Sequence, residues 1–177
     1  MRGRHGRAIV VTSLISAVLS FGPFARAGEG ASATGLAHFT FDDGTLRMVS
    51  FNATSQRNNI AVGQIDIQDR TPIPNQDVDG TGDPALAASP NGVNLNAQVD
   101  CLVVDGTTAI VGGQVARADV IRYVGKYVLL FVEDRGRSQA RLNWGFYEPE
   151  EGVSCDRFPR SAYAPVEVTG GSVKLRP

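Results

Sequence analysis

The segment Asp77-Val78-Asp79-Gly80-Thr81-Gly82-Asp83 carries the side chains best suited to hold a metal ion. Carboxylates at its first and third positions, a hydroxyl at the fifth and a glycine at the sixth match the front half of an EF-hand calcium loop. Position twelve is Ala88 instead of a bidentate glutamate, and an exposed Asx-Gly turn uses the same residue types for backbone reasons. The candidate Ca²⁺ ligands are Asp77, Asp79, Thr81 and Asp83, with a plain turn as the alternative, and no other cofactor is predicted.

Three aromatic side chains, Trp144, Phe146 and Tyr147, are candidates for a ligand-binding face. Aromatic residues are enriched at binding surfaces because they combine a large contact area with a polar edge or group. Trp144 and Phe146 are two residues apart and so lie on the same side of a strand, which equally favours packing in a core. Both interpretations remain open on the sequence alone.

Groups for catalysis are scarce. A Ser-His-Asp triad needs a histidine base, and His38, beside Phe39 in an apolar stretch, is the only histidine after residue 27. No GxSxG, P-loop or HExxH motif occurs. Carboxylates at Asp42-Asp43 and at 148–151 would suit a glycoside hydrolase if they faced each other across a cleft, although solvated turns explain them as well. The sequence therefore predicts no catalytic residue, with a carboxylate-dependent hydrolase kept as an alternative.

Cys101 and Cys155 are the only cysteines. An even count in an exported protein favours a disulfide bond, and the alternative is two buried free thiols. Arg157, close to the second cysteine, is expected to pair with Asp134 or Glu133 and so to hold this loop on the sheet. An ordinary surface ion pair is the alternative.

The first 27 residues have the pattern of a secretory signal peptide. Arg2, Arg4 and Arg7 give a positive start, residues 8–21 carry no charge, and Ala25-Arg26-Ala27 is a small-x-small cleavage site. The uncharged stretch is shorter than the ~20 residues that a membrane-spanning helix needs. We therefore expect a secreted, extracellular protein that begins at Gly28 and has no transmembrane segment after processing.

The composition is that of an ordinary globular domain. With 177 residues, 42% hydrophobic and 20% charged, the chain is too apolar for a disordered protein and suits one domain over residues 28–177. Removal of the signal would take four of the 17 basic residues and none of the 18 acidic ones, which leaves a net charge of −5. Such a chain disfavours nucleic acid and anionic lipid, so we expect a partner at the cell surface or in the medium.

Alternation of apolar and polar residues with period two predicts about eight short strands. In the clearest run, residues 93–101, Val93, Val99 and Cys101 share one face. Further runs lie at 36–41, 45–53, 60–67, 109–113, 127–132, 141–147, 166–168 and 173–175. A long Pro-, Asp- and Gly-rich loop at 68–92 interrupts them. The predicted fold is all-β, a single antiparallel domain that forms a β-barrel or a β-sandwich.

The run Val99-Asp100-Cys101-Leu102-Val103-Val104-Asp105-Gly106-Thr107-Thr108-Ala109-Ile110-Val111-Gly112-Gly113 resembles the central signature of a bacterial family. These are small secreted β-rich proteins of unknown function, described as post-COAP type domains. Flanking pieces agree with it: Phe51-Asn52-Ala53, Val62-Gly63-Gln64-Ile65, Phe131-Val132-Glu133-Asp134 and Asp156-Arg157-Phe158. The resemblance implies secretion and a β fold, and it implies no catalytic residue.

Together these patterns predict an exported, non-enzymatic β-domain with a binding or structural role. The first alternative is a carrier of a small ligand inside a barrel. A carrier needs inward positions that are too small to fill the interior. The candidates for such positions are Gly112, Gly113, Gly125 and Gly145.

Overall fold

The computed structural model describes residues 30–40, 43–57, 60–74, 88–136, 140–158 and 164–177, and it is all-β as predicted. The strands are β1 (Ser32–Thr40), β2 (Leu46–Ser55), β3 (Ala61–Asp69), β4 (Val93–Asp105), β5 (Thr108–Ala118), β6 (Tyr127–Glu133), β7 (Arg141–Tyr147), β8 (Val166–Glu167) and β9 (Gly170–Arg176). Short 3₁₀ turns lie at Ile121–Tyr123 and Pro149–Glu151. Within the described ranges, no helix has the length and apolar character needed to cross a membrane.

The nine strands form one antiparallel sheet that curls into a half-barrel. Each strand from β1 to β7 pairs with its successor in the chain, and β9 returns to pair with β1. Between β8 and β9, the Val168 N–H donates to the Ala140 carbonyl at 2.9 Å and the Thr169 N–H donates to the His38 carbonyl at 2.8 Å. Two residues thus carry the chain from the β7 side to the β1 side, which brings the two ends of the sheet together. Of the two predicted arrangements, a barrel or a sandwich, the single curled sheet is the barrel-like one.

The concave side of the sheet holds the main hydrophobic core. Alternation along each strand turns every second side chain inward, and Phe39, Ile65, Leu130 and Leu142 are fully buried there. The Phe39 ring on β1 meets the Trp144 ring on β7 edge to face, with 5.3 Å between the ring centroids. These strands lie near opposite ends of the sheet order, so the contact crosses the interior of the curl.

A β-bulge in β4 moves Cys101 to the convex side. Val99 pairs with Gly113 and Cys101 pairs with Gly112, which leaves Asp100 as the extra residue. Because one added residue reverses the facing of everything after it, Val99 lies in the main core while Cys101 lies on the outside. The expectation that the two share one face was therefore wrong. Gly113 permits the close approach, since a Cβ there would lie 2.1 Å from the Gln98 carbonyl oxygen.

Candidate functional site

The convex side of β4–β7 is covered by residues 149–158, which we call the strap. Val153, Cys155 and Phe158 of the strap pack in a second hydrophobic cluster. On the sheet side this cluster consists of Cys101, Val103, Ile110, Tyr127, Leu129, Phe131 and Tyr147. The Phe158 and Phe131 rings stack with 6.5 Å between their centroids. This part of the outer surface is therefore closed by the chain itself.

The predicted disulfide fastens the strap to β4. Cys101 and Cys155 are bonded, with Cα atoms 6.0 Å apart. The Cys155 backbone N–H donates to the Cys101 Sγ at 3.2 Å, and the Tyr127 hydroxyl lies 3.1 Å from the same sulfur. The bond therefore spans the gap between the sheet and the strap that covers it.

Glycines on the convex side make room for the strap. Gly112 and Gly145 flank Leu129 in one cross-strand row that begins at Cys101. A Cβ on Gly112 would lie 2.5 Å from the Cys101 Sγ and 2.8 Å from the Tyr127 hydroxyl. Gly113 lies at the bulge, and Gly125 is in a turn with φ 87°. The expectation that these glycines widen an inner cavity is not met at these positions, because the small residues serve the strap, the bulge and a turn.

The bulge residue Asp100 lies beside the disulfide and accepts a hydrogen bond from the Tyr127 hydroxyl. Partial burial raises the pKa of Asp100, and the hydrogen bond from Tyr127 offsets part of that rise. Burial and the neighbouring carboxylate of Asp100 raise the pKa of Tyr127. The tyrosine therefore stays protonated and donates its one proton to the carboxylate, while its oxygen also contacts the sulfur, which favours a structural role for this group.

The three aromatic residues predicted to form a ligand face lie on opposite sides of β7. Trp144 and Phe146 point inward and pack against the main core, and Phe146 also meets Tyr123 with 4.9 Å between ring centroids. Tyr147 points outward into the cluster under the strap. The structure therefore joins the first two residues in the core and separates the third from them.

The predicted pair between Arg157 and Asp134 is not formed among the described residues. Arg157 is exposed, and a carboxylate oxygen of Asp134 accepts the Gly136 backbone N–H at 2.8 Å. Glu133 instead holds Arg135 at 3.0 Å and Arg141 at 3.8 Å. These ion pairs lie at the turn between β6 and β7. The strap is held by the disulfide instead.

The candidate calcium ligands Asp77, Asp79, Thr81 and Asp83 lie outside the described residues, as does Asp42. Within the described ranges, no group of three or more His, Cys, Asp or Glu side chains is placed to hold a metal ion.

His38, the histidine considered as a catalytic base, lies on β1, and its Nε2 atom is buried without a hydrogen-bond partner. The Glu148 carboxylate accepts a hydrogen bond from the Lys126 ammonium. The Glu151 carboxylate accepts one from the Glu148 backbone N–H at 2.8 Å. The carboxylates of Glu148 and Glu151 thus have local structural partners.

A buried arginine, which the sequence interpretation missed, closes one end of the interior. Arg47 is 7% exposed. Its two Nη atoms contact the two oxygens of Asp43 at 3.0 and 2.7 Å, and its Nε contacts Asp69 at 3.0 Å. The other oxygen of Asp69 accepts the Thr71 backbone N–H at 2.9 Å. This cluster ties the β1–β2 turn to the end of β3. A charged residue at an inward position of a strand pattern is the signal that could have revealed it.

The charge of Asp43 should make stability depend on pH. Its hydrogen bonds from Arg47 and from the Thr45 backbone lower its pKa from 3.8 to about 2. A pKa that is lower in the folded state gives stability above the unfolded pKa, and that stability is lost as pH falls through the folded pKa. We expect Asp43→Asn to be less stable than the wild type at pH 7, with a difference that shrinks between pH 4 and 2. Chemical unfolding at several pH values measures this, and a difference that stays constant would contradict it.

The convex side of β2–β5 presents polar side chains, and we call this surface the amide face. Besides Leu46, Met48, Thr54 and Val62, which lie towards the ends of β2 and β3 on the same side, ten polar residues point outward here: Ser50, Asn52, Gln64, Asp66, Gln68, Asn94, Asn96, Gln98, Gln114 and Arg117. Eight of these ten are exposed, and Ser50 and Asn96 are half-buried. Their backbones are held in the sheet ladder, so the face is rigid. None of the described segments covers it in the way the strap covers β4–β7.

Hydrogen bonds fix several of these side chains. The Asn96 Nδ2 donates to Asp66 at 2.8 Å. The Asn94 Nδ2 and backbone N–H donate to the two oxygens of Asp119 at 2.7 and 2.9 Å. Each asparagine keeps its carbonyl oxygen and a second amide proton for other partners. Alternation alone predicted that these positions are exposed to solvent. That so many of them on one face are amides appears only when the four strands are placed side by side.

Comparison with protein-family models, with curated proteins and with solved structures finds no match for this chain.

Proposed function

We propose that the chain is an exported, non-enzymatic binding domain whose binding surface is the amide face. The observation that carries the proposal is the contrast between the two parts of the convex surface. The apolar part is covered by a disulfide-bonded strap, whereas the polar part is rigid, exposed and not covered by any described segment. The signal-peptide pattern of residues 1–27 supports export.

A binding role is supported by the kind of side chains on the face. Amides and hydroxyls both donate and accept hydrogen bonds, so they suit a polar ligand of fixed shape. Long charged side chains are the usual way to keep a sheet face solvated, but they lose more rotamer entropy when a ligand orders them. Here short side chains such as Asn94 and Asn96 are already fixed by carboxylates.

The partners of the remaining carboxylates support a non-enzymatic role. Asp43 is neutralised by Arg47, and Glu148 by Lys126. A glycoside hydrolase needs one carboxyl group with a raised pKa facing a second one across a cleft. Asp100 has a raised pKa, but its partner is the Tyr127 hydroxyl and not a second carboxyl group. That hydroxyl also contacts the disulfide.

The proposal is tested with the mature chain, residues 28–177, and the insoluble surface fraction of the cells that produce it. We expect the protein to sediment with that fraction, and Gln98→Arg, at the centre of the amide face, to weaken this binding about ten-fold by placing a long charge across it. Gln56→Arg changes an exposed glutamine beyond the end of β2 and should bind normally. Equal sedimentation of both variants, or no sedimentation of the wild type, would overturn the proposal.

A further inference from the structure

We propose that the ligand of the amide face is a neutral polysaccharide, bound along a groove that crosses β3, β4 and the end of β5. This inference rests on the proposed function and adds the chemical class of the ligand. The groove has a volume of about 310 Å³ and lies on the convex side of the sheet. Its polar lining consists of Asp66, Gln68, Asn94, Asn96, Arg117 and Asp119.

The internal hydrogen bonds of the groove leave donors and acceptors in alternation. Asp66 accepts one amide proton of Asn96, and Asp119 accepts one from Asn94. Each carboxylate has lone pairs left, and each amide keeps one proton and its oxygen. A sugar hydroxyl donates one proton and accepts two, so neighbouring hydroxyls on a sugar ring can bind to a carboxylate and an amide together. The lining is therefore complementary to a polyhydroxylated ligand.

The charges of the groove argue against the other polymer classes. The lining contains one cation, Arg117, and two carboxylates, Asp66 and Asp119, which gives it mixed sign and a net charge of −1. A nucleic acid or an acidic polymer needs a surface that is mainly positive. A protein partner usually needs a buried apolar or aromatic anchor, and the exposed side chains of the lining are polar or charged. A neutral ligand with many hydroxyls can hydrogen-bond to both the carboxylates and the arginine, and it brings no charge of its own that would need a counter-charge.

The face beyond the groove repeats the same chemistry across the strands. Asn52 pairs with Gln64, Gln64 with Gln98, and Gln98 with Gln114 in one row. Neighbouring strands lie about 4.8 Å apart, so this row offers amide groups at a regular interval. A polymer whose hydroxyls repeat along its length can contact several of them at once, and many weak hydrogen bonds then add up. We therefore infer a polysaccharide in preference to a single sugar.

Affinity electrophoresis tests this inference with residues 28–177 in native gels that contain dextran, mannan, a soluble β-glucan or, as an anionic comparison, alginate. We expect at least one neutral polysaccharide to slow the wild-type protein. Asn94→Ala combined with Asn96→Ala should weaken that binding about ten-fold, because two preset hydrogen-bonding groups are removed. Gln56→Ala, an exposed amide lost outside the face, should migrate like the wild type.

The possible failures separate the two proposals. If none of the neutral polysaccharides slows the protein or competes with its sedimentation, while Gln98→Arg still weakens sedimentation, the polysaccharide assignment is wrong and the binding surface stands. Binding to alginate alone would overturn the assignment in the same way. If Gln98→Arg sediments like the wild type, the amide face is not the binding surface, and both proposals fall. Thermal unfolding of each variant identifies a loss that comes from misfolding, and Asn94→Ala and Asn96→Ala taken singly then replace the double variant.

Discussion

Replacing Cys101 and Cys155 together by alanine is expected to lower the free energy of unfolding by about 4 kcal/mol. The bond closes a loop with a sequence separation of 54, and its removal restores the conformational freedom of that loop to the unfolded chain. The effect should be seen as a lower midpoint in guanidinium unfolding of residues 28–177. The loss should begin at the strap, because Val153 and Phe158 pack on the sheet beside the bond.

Two further measurements sharpen this result. Wild-type protein kept in a dithiol reductant should unfold like the double variant, since both lack the same bond. Hydrogen exchange should speed up in the strap and at the edge of its cluster before it speeds up in β2 and β3, which lie away from it. A loss below about 1 kcal/mol would contradict the expectation and would mean that packing alone holds the strap.

Arg47→Met should destabilise the fold by about 3 kcal/mol, measured by chemical unfolding at pH 7. The substitution leaves Asp69 and Asp43 facing each other without the buried cation that they share, and the half-buried carboxylate of Asp69 then has no charged partner. The value is at the lower end of the range because the side chain of Asp43 is 41% exposed. The contact that is lost joins the β1–β2 turn to the end of β3.

An exposed arginine provides the control for this change. Arg176→Met, at the end of β9, should alter stability by less than about 0.5 kcal/mol. Adding Asp43→Asn and Asp69→Asn to Arg47→Met should recover part of the loss, because no buried charge then remains unpaired. Equal stability of Arg47→Met and Arg176→Met would show that the cluster contributes nothing.

Much of the sheet could be predicted from the sequence because its strands either alternate or form short apolar runs, and several of them are joined by short turns. Residues 93–99 and 127–132 fall within β4 and β6, and the turn at Asp105-Gly106 joins β4 to β5. What failed was the facing of Cys101, since a bulge depends on the pairing of two strands and leaves no period in one of them. The closure of the curl by β9 was likewise hidden, because it is decided by the stagger between strands.

The candidate site was harder to predict for a similar reason. The amide face is assembled from single residues on four strands, none of which looks unusual alone. Gln64, Gln98 and Gln114 become neighbours only when the register is known. Trp144, by contrast, could be assigned to the core or to a ligand from its spacing, and the deciding fact was the contact with Phe39 across the interior.

The return of β9 to β1 has a consequence for how the protein reaches its final state. Every other pairing joins strands that follow one another in the chain, whereas β1 and β9 are far apart in sequence and Ser32 pairs with Arg176. Local hairpins gain their contacts at little loop entropy, but this last pairing must close almost the whole chain. The outer edge of β1 therefore stays open until synthesis has delivered β9. During that interval the unpaired edge is the place where aggregation would begin, and where a chaperone would act.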